Sequence, residues 1–294
     1  VKEARLRKRG LTLHGRDSLV GAGFVAPWLI GFALLTLYPL IQTVYLSLNK
    51  VTISAKGMRV EPLGPENYRE IFTMDVDFVN SLIDYIKEIV VYVPLILVFS
   101  LIIAMLLNQG LRGTGVLRTI FFLPVVITSG PVIQHLTSNG ALYMPGNSAI
   151  IASVAASGAL PLWASGALGF LIDSFTTILW NCGLQILVFL AGLQKIDPNI
   201  IEAARIDGAS AWEIFWKLTL KILNPLIVLN MLFTVIVLSC FSINPIISKI
   251  RIDLFDANRG FGYGAALSLV YFVIEVIVIG LGLLICMQRK ERRD

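Results

Sequence analysis

The sequence predicts an all-α, polytopic membrane protein: six transmembrane helices, with a cytoplasmic helix–turn–helix loop between the fourth and fifth. Three observations carry this. Of 294 residues, 56% are hydrophobic and 15% charged, and the mean hydropathy is +0.79. Soluble domains run about 45–50% apolar and about 25% charged, so the composition excludes a soluble single-domain enzyme. It also excludes a disordered chain, which needs low hydrophobicity. The apolar residues gather into uncharged runs long enough to cross a bilayer, about 20 residues each. Finally, Lys and Arg concentrate in alternate connectors.

The first run, residues 18–49, follows Lys2, Arg5, Arg7, Lys8, Arg9 and Arg16. A secretory signal has an apolar core of about 7–15 residues, so this run reads as a retained first span. Further runs cover residues 89–107, 119–136, 171–193, 222–247 and 263–287. Residues 141–172 are also uncharged, but they are rich in Ala, Ser and Gly and contain Pro145 and Pro161. With six spans and both termini cytoplasmic, the inside carries sixteen Lys and Arg and the outside seven. A seventh span at 141–172 would make this eleven against twelve. The positive-inside rule selects six. Residues 141–168 then form an outer loop with a short interfacial or re-entrant helix, whose backbone must be covered by protein.

The organisation follows in order along the chain. Residues 1–18 are a basic cytoplasmic arm that sets topology and touches anionic lipid. Residues 19–288 are the membrane domain, with outer loops at about 49–83, 138–170 and 248–262 and a cytoplasmic loop at 194–221. Residues 289–294 are a cytoplasmic tail. The polar segment 49–81, with Pro62, Gly64 and Pro65, reads as a connector rather than a domain. Cys182, Cys240 and Cys286 lie in apolar runs and read as small buried hydrophobes, with no disulfide framework. His14 and His135 are isolated, so no metal site is assigned. The net charge of +5 belongs to topology and lipid, not to a nucleic acid partner.

Loop 194–221 is unlike the others. Asp197-Pro198 starts a helix, with Asp as cap and Pro in the first turn. Glu202, Ala203 and Ala204 continue it, and Gly208 allows a sharp break. A second amphipathic piece follows, with Trp212, Phe215 and Trp216 on its apolar side and Glu213 and Lys217 on the other. A short helix lying along the membrane surface suits docking into a groove of another protein.

Polar groups inside spans are costly and therefore informative. Asn181 and Gln185 share one helical face in the fourth span, with Trp180 beside them. Asn230 and Thr234 do the same in the fifth, and Tyr271 and Glu275 in the sixth. Amides, carboxylates and aromatic faces are the groups that bind sugars. The same residues could equally hold helices together by hydrogen bonds. Asp84, Lys87 and Glu88 fall at the outer boundary, where a local ion pair is expected. No Lys or Arg lies at the centre of a span, which favours a neutral solute.

The string Glu202-Ala-Ala-Arg-Ile-Asp-Gly-Ala209 resembles the EAA loop of permease subunits in binding-protein-dependent ABC importers. Leu218 and Leu220 fall at the Ile and Leu places of the longer motif, and Lys221 stands at its Pro place. Further segments are similar to the carbohydrate-uptake branch, which includes the maltose and glycerol-phosphate importer permeases. They are Ala26-Pro27, Leu37-Tyr-Pro-Leu40, Glu66-Asn-Tyr68, Leu111-Arg-Gly113, Arg118-Thr-Ile-Phe-Phe-Leu-Pro124, Phe189-Leu-Ala-Gly-Leu-Gln194 and Phe261-Gly-Tyr-Gly-Ala-Ala-Leu267.

The resemblance implies a subunit that carries a mono- or oligosaccharide from an extracytoplasmic solute-binding protein into the cytoplasm by alternating access. It implies a second related permease and two ATP-binding subunits as partners, in a bacterial or archaeal cell membrane. Glu202, Ala203, Ala204, Arg205, Asp207 and Gly208 would couple to the ATPase. The chain has no Gly-Lys dipeptide and hence no phosphate-binding loop. No cofactor is expected on this chain, and ATP and Mg would sit in the partner subunits. Alternatives are a permease for glycerol-phosphate, a polyamine or an oligoanion, and a proton- or ion-coupled secondary transporter using Glu275. In the importer, Glu275 would either face the pore or pair with a polar group on the second permease. A membrane enzyme lacks support, because no paired carboxylates or His/Cys cluster occur at membrane-edge spacing.

Overall fold

The computed structural model describes residues 13–54, 57–110, 114–127, 174–175, 177–240, 244–256 and 259–291. The expectations for residues 1–12, the second half of the third span, the loop at 141–168 and the end of the tail lie outside these residues. Among the described residues, four helices are long and apolar enough to cross a membrane. The chain divides into two compact units, one of residues 1–79 with 248–273 and the other of 80–247 with 274–294.

The first unit begins with α1 (Leu13–Phe32), a π-helical turn (Ala33–Leu37) and α2 (Tyr38–Ser47). Pro27 lies inside α1 and Pro39 in the first turn of α2. A wide turn beside a proline is a common way for a helix to absorb a missing N–H donor. Segment 49–81 is more ordered than the connector expected from its polarity. It forms a hairpin of β1 (Asn49–Ser54) and β2 (Gly57–Pro62), then α3 (Glu66–Thr73). The β-branched run Val51-Thr52-Ile53 favours the strand. Asn67 is buried and donates from its side-chain amide to the Ser47 carbonyl at 2.7 Å, while the Tyr68 hydroxyl meets Ser47 Oγ at 2.7 Å. These bonds explain physically why Asn67-Tyr68 matter here: they fasten α3 to the end of α2.

Two more helices contribute to this unit, the second of them only up to residue 273. α10 (Pro245–Leu254) occupies much of what composition marked as an outer loop, and α11 (Gly260–Glu291) starts before the predicted sixth span. Gly260 (φ +70) and Gly262 lie against the hairpin. A Cβ on Gly262 would sit 2.0 Å from the Asn49 carbonyl oxygen and 3.2 Å from that of Leu46. Backbone atoms cannot step aside, so the segment needs glycine there.

Asp75, between α3 and α4 (Val76–Asn108), has a side chain only 2% exposed and pairs with Lys249 at 3.1 Å and Arg259 at 2.7 Å. Asp253 contacts the same two cations at 3.4 and 3.2 Å. The Tyr263 hydroxyl and the Phe78 N–H also donate to Asp75, at 2.8 and 3.1 Å. Burial raises the Asp75 pKa. The hydrogen bonds from Tyr263, the Phe78 N–H, Lys249 and Arg259 outweigh it and hold the carboxyl below the ordinary Asp range.

The second unit holds most of α4 (Val76–Asn108), α5 (Thr114–Ile127), α6 (Gly183–Gln194), α7 (Pro198–Ile206), α8 (Ala211–Glu213), a π-helical turn (Ile214–Thr219) and α9 (Leu220–Cys240). α4 begins thirteen residues before the apolar run that predicted it. Its core joins Ile96, Ala104 and Leu107 of α4 to Ile186, Phe189 and Leu190 of α6 and Leu223 of α9. Gly192 brings α6 and α9 together: a Cβ there would lie 2.2 Å from Leu226 Cδ1 and 2.8 Å from Leu223 Cδ2. Small residues that admit a neighbouring helix are the usual basis of membrane helix packing. Of the three cysteines, Cys182 is buried, whereas Cys240 is exposed and Cys286 half-buried. An apolar run does not distinguish a lipid-facing thiol from a core one.

Two outcomes follow. Asp75→Asn removes one charge from a four-charge cluster. The cost is about 2–3 kcal/mol, at or below the low end of the range for breaking a buried pair, because Arg259 is one-third exposed. Because the folded carboxyl titrates below the unfolded value of about 3.9, its contribution is complete at neutral pH. It fades as pH falls below about 4 and through the folded pKa. Thermal unfolding in detergent across pH 3–7 should therefore show an acid loss of stability that Asp75→Asn reduces. Gly262→Ala should lower stability by at least about 1–3 kcal/mol, the scale of overpacking, in the same assay.

Candidate functional site

Two features answer to the sequence-predicted site residues: an exposed loop and a polar seam between helices. The loop joins α6 to α9. Asp197 caps α7, its side chain accepting from the Asn199 N–H at 2.9 Å, with Pro198 in the first turn. α6 and α7 are bent by 65° from one another, so α7 turns away from the direction of the preceding span. Gly208 adopts φ +84 directly after α7. Ser210 and Glu213 then form a reciprocal capping box that starts α8, with contacts of 3.0 and 3.3 Å. Lys217 pairs with Glu213 at 3.0 Å.

No residue of α7 is buried. Glu202, Ala203, Arg205, Asp207 and Gly208 are exposed and Ala204 is half-buried. The side chains of Glu202, Arg205 and Asp207 make no hydrogen bond or ion pair among the described residues. Trp212 and Trp216 stack edge to face at 5.3 Å and remain exposed, Trp212 by 70%. Leu193, Ile196 and Thr219 line one hollow beside α7 together with Glu202 and Arg205, of about 340 Å³. The loop is thus a rigid, capped helix with unpaired charges and open aromatic surface.

The polar seam gathers three predicted residues. Gln185, Asn230 and Thr234 are each 1% exposed. The Gln185 amide donates to Thr234 Oγ1 at 2.8 Å, and Thr234 donates to the Asn230 carbonyl at 2.7 Å. The Asn230 amide reaches the Gln185 carbonyl at 3.4 Å. Gln185 Oε1 is buried with no partner among the described residues. Asn181, one turn earlier, is half-buried and donates to the Thr177 carbonyl at 2.9 Å, with Trp180 half-buried beside it.

Glu275 lies near the centre of α11, one turn beyond Tyr271. Its carboxylate accepts from the Tyr85 hydroxyl and from Ser239 Oγ, the latter at 2.8 Å. Tyr85 and Ser239 carried no signal in the sequence. Each is ordinary within its own run, and only the packing of three helices shows that they meet a carboxylate. Lys87 pairs with Asp84 at 2.8 Å, the local ion pair that was expected. Glu88 has no cation partner among the described residues.

No protein-family model matches the chain. Individual relatives do. It is 31% identical over 281 residues to YesP of Bacillus subtilis, a probable ABC transporter permease protein, covering 90% of this chain and 89% of that one. It is 29% identical to the lactose transport system permease protein LacF of Rhizobium radiobacter, covering 92% and 93%. It is also 29% identical to the trehalose/maltose transport system permease protein MalF of Thermococcus litoralis, covering 89% and 92%. Its fold is similar to a chain of a bacterial ABC transporter involved in the import of the acidic polysaccharide alginate. The TM-score is 0.57 at 18% identity, over 93% of this chain and 96% of that one. A second crystal structure of such a transporter, also at 0.57, holds an alginate pentasaccharide-bound periplasmic protein, with 17% identity and coverage of 91% and 93%.

The seam makes a double-mutant cycle possible. Thr234→Val strands the Gln185 amide and should cost about 0.6–1.7 kcal/mol, the range for hydrogen bonds between membrane helices. Adding Gln185→Leu should recover part of the loss, since removing both partners is nearly neutral. Unfolding of the purified chain in mixed micelles measures the coupling.

Proposed function

The chain belongs to the ABC transporter permeases of the carbohydrate-uptake branch, and on that premise we propose that it forms one half of the pore of an ATP-driven sugar importer. Permease subunits are not enzymes, and ATP hydrolysis resides in separate subunits. In this reading six spans cross the membrane with both termini cytoplasmic, as the sixteen-to-seven distribution of Lys and Arg favours. A second related permease completes the pore. Two ATP-binding subunits dock on the cytoplasmic side, and an extracytoplasmic binding protein delivers the sugar. Relatives named for lactose and for trehalose/maltose support a neutral mono- or oligosaccharide.

The observation that carries the coupling role is the geometry of α7. Glu202, Arg205 and Asp207 stand exposed and unpaired, among the described residues, on a helix fixed at both ends, by Asp197 and by Gly208. Ala203 and Ala204 keep its surface flat enough to enter a cleft. Because α8 and its π-helical turn run directly into α9, a displacement of the loop is transmitted to a span without a flexible joint. ATP-driven closure of the partner subunits would thereby change the pore between outward and inward access. Within the pore, Gln185, Asn230 and Thr234 serve to hold α6 to α9. Trp180, Asn181 and Tyr271 are the half-buried members of the set through which a solute would pass. Glu275 is held by Tyr85 and Ser239 and steadies three helices.

Glu202→Lys and Gly208→Val test the proposal in the complete transporter reconstituted with its binding protein. Gly208 at φ +84 is strained for any β-branched residue. Both variants should insert normally yet lose sugar-stimulated ATP hydrolysis by at least about tenfold, or about 1.4 kcal/mol of coupling. Unchanged stimulation would refute the role assigned to α7.

A further inference from the structure

A small cavity in the second unit lies outside both features described above. It measures about 140 Å³ and is lined by Tyr85, Glu88, Ile89, Tyr92, Thr177 and Leu238. Pockets that enclose whole drug-sized ligands run about 300–1,000 Å³, so this one takes a single ring or the end of a longer molecule. Its walls join α4 to α9 and to the helical turn at 177–181. Ile89 and Tyr85 are buried, while Tyr92, Thr177 and Leu238 are half-buried and Glu88 is exposed.

The chemistry of the lining is specific. The Tyr85 hydroxyl is committed to Glu275, so what Tyr85 offers the cavity is ring surface. The Tyr92 hydroxyl meets Ser174 Oγ at 3.3 Å, and either can donate. That leaves acceptor capacity on the Tyr92 hydroxyl, and its O–H as well when Ser174 is the donor, for a third group. Asp84 gives its charge to Lys87 at 2.8 Å, whereas Glu88 pairs with no cation among the described residues. Glu88 thus presents an uncompensated carboxylate, an acceptor for two donors, beside two tyrosines and a threonine hydroxyl. A pair of neighbouring sugar hydroxyls supplies two such donors, and the apolar C–H face of the ring packs on tyrosine. A carboxylate-bearing sugar would bring like charge against Glu88.

We infer that this cavity is a subsite for one uncharged sugar ring and that Glu88 discriminates against uronic acid rings at it. The inference rests on the sugar-importer reading above and adds the place where charge is selected. It separates this chain in substrate charge from the fold neighbour, which belongs to a transporter for an acidic polysaccharide. Glu88 acts by direct contact with the ring. Tyr92 and Thr177 orient it.

The test uses the whole transporter, all membrane and ATP-binding subunits together, in lipid nanodiscs without binding protein. Saturation-transfer NMR is recorded with methyl glucoside and with glucuronate as probes, for the native protein and for Glu88→Gln and Tyr92→Phe. The native protein should bind methyl glucoside and exclude glucuronate. Glu88→Gln should raise glucuronate binding at least about tenfold, since like charges in contact near a protein surface repel. Tyr92→Phe should weaken methyl glucoside binding and leave glucuronate excluded. Three results would overturn the inference: no methyl glucoside signal in the native protein, equal binding of both probes, or Glu88→Gln without effect on their ratio. Glucosamine binding about tenfold above methyl glucoside and abolished by Glu88→Gln would overturn it too, by making the cavity a cation site. Sugar uptake by the same preparation with its binding protein is measured in parallel. Uptake with no Glu88 effect refutes the subsite alone, and absence of any sugar uptake refutes the importer reading.

Discussion

A polar side chain inside a bilayer has no water to fall back on, so it must find a protein partner. That constraint organises this chain. Gln185, Asn230 and Thr234 hydrogen-bond to one another across α6 and α9. Glu275 draws Tyr85 and Ser239 to it from two other helices. Asp75, just ahead of α4, collects Lys249, Arg259 and Tyr263. Each cluster ties together segments far apart in sequence, where apolar packing alone would let helices slide. Close approach is then allowed by glycine: Gly192 between α6 and α9, and Gly262 against the hairpin backbone.

The same division separates what holds the protein together from what it does. The clusters use most of their polar groups on one another, Gln185 Oε1 excepted. Groups outside them with no partner among the described residues include the charges of α7, exposed on one loop, and Glu88, at a small cavity. Unpaired polar groups on rigid elements are available for partners that are other molecules. On the proposed reading α7 would be the contact for ATP-binding subunits and Glu88 the contact for solute, whereas Gln185 and Glu275, for all their polarity, are bonded within the chain.

Much of this was legible in the sequence because it is local. Asp197-Pro198 and Gly208 mark the ends of α7 by cap and turn chemistry alone, whereas the Ser210–Glu213 capping box that restarts the helix went unread. Long uncharged runs marked the four described helices that are long and apolar enough to cross a membrane. Segment 49–81 was harder, since its hairpin and α3 depend on Asn67 and Tyr68 reaching back to Ser47, about twenty residues earlier. The long outer extension of α4 was hidden because residues 76–88 are too polar for an apolar run yet keep helical capacity. Spacing placed Gln185, Asn230 and Glu275 correctly on their helices but said nothing of which neighbour each would meet. Asp75 left no trace at all, its four partners being drawn from three other segments.

The central claim is that this chain is a pore subunit that works only with a separate ATPase. Native mass spectrometry of the complex, purified gently from its own membrane, tests that most directly. The account predicts one copy of this chain with one second permease and two ATP-binding subunits. A lone chain or a homodimer without any ATP-binding subunit would contradict it.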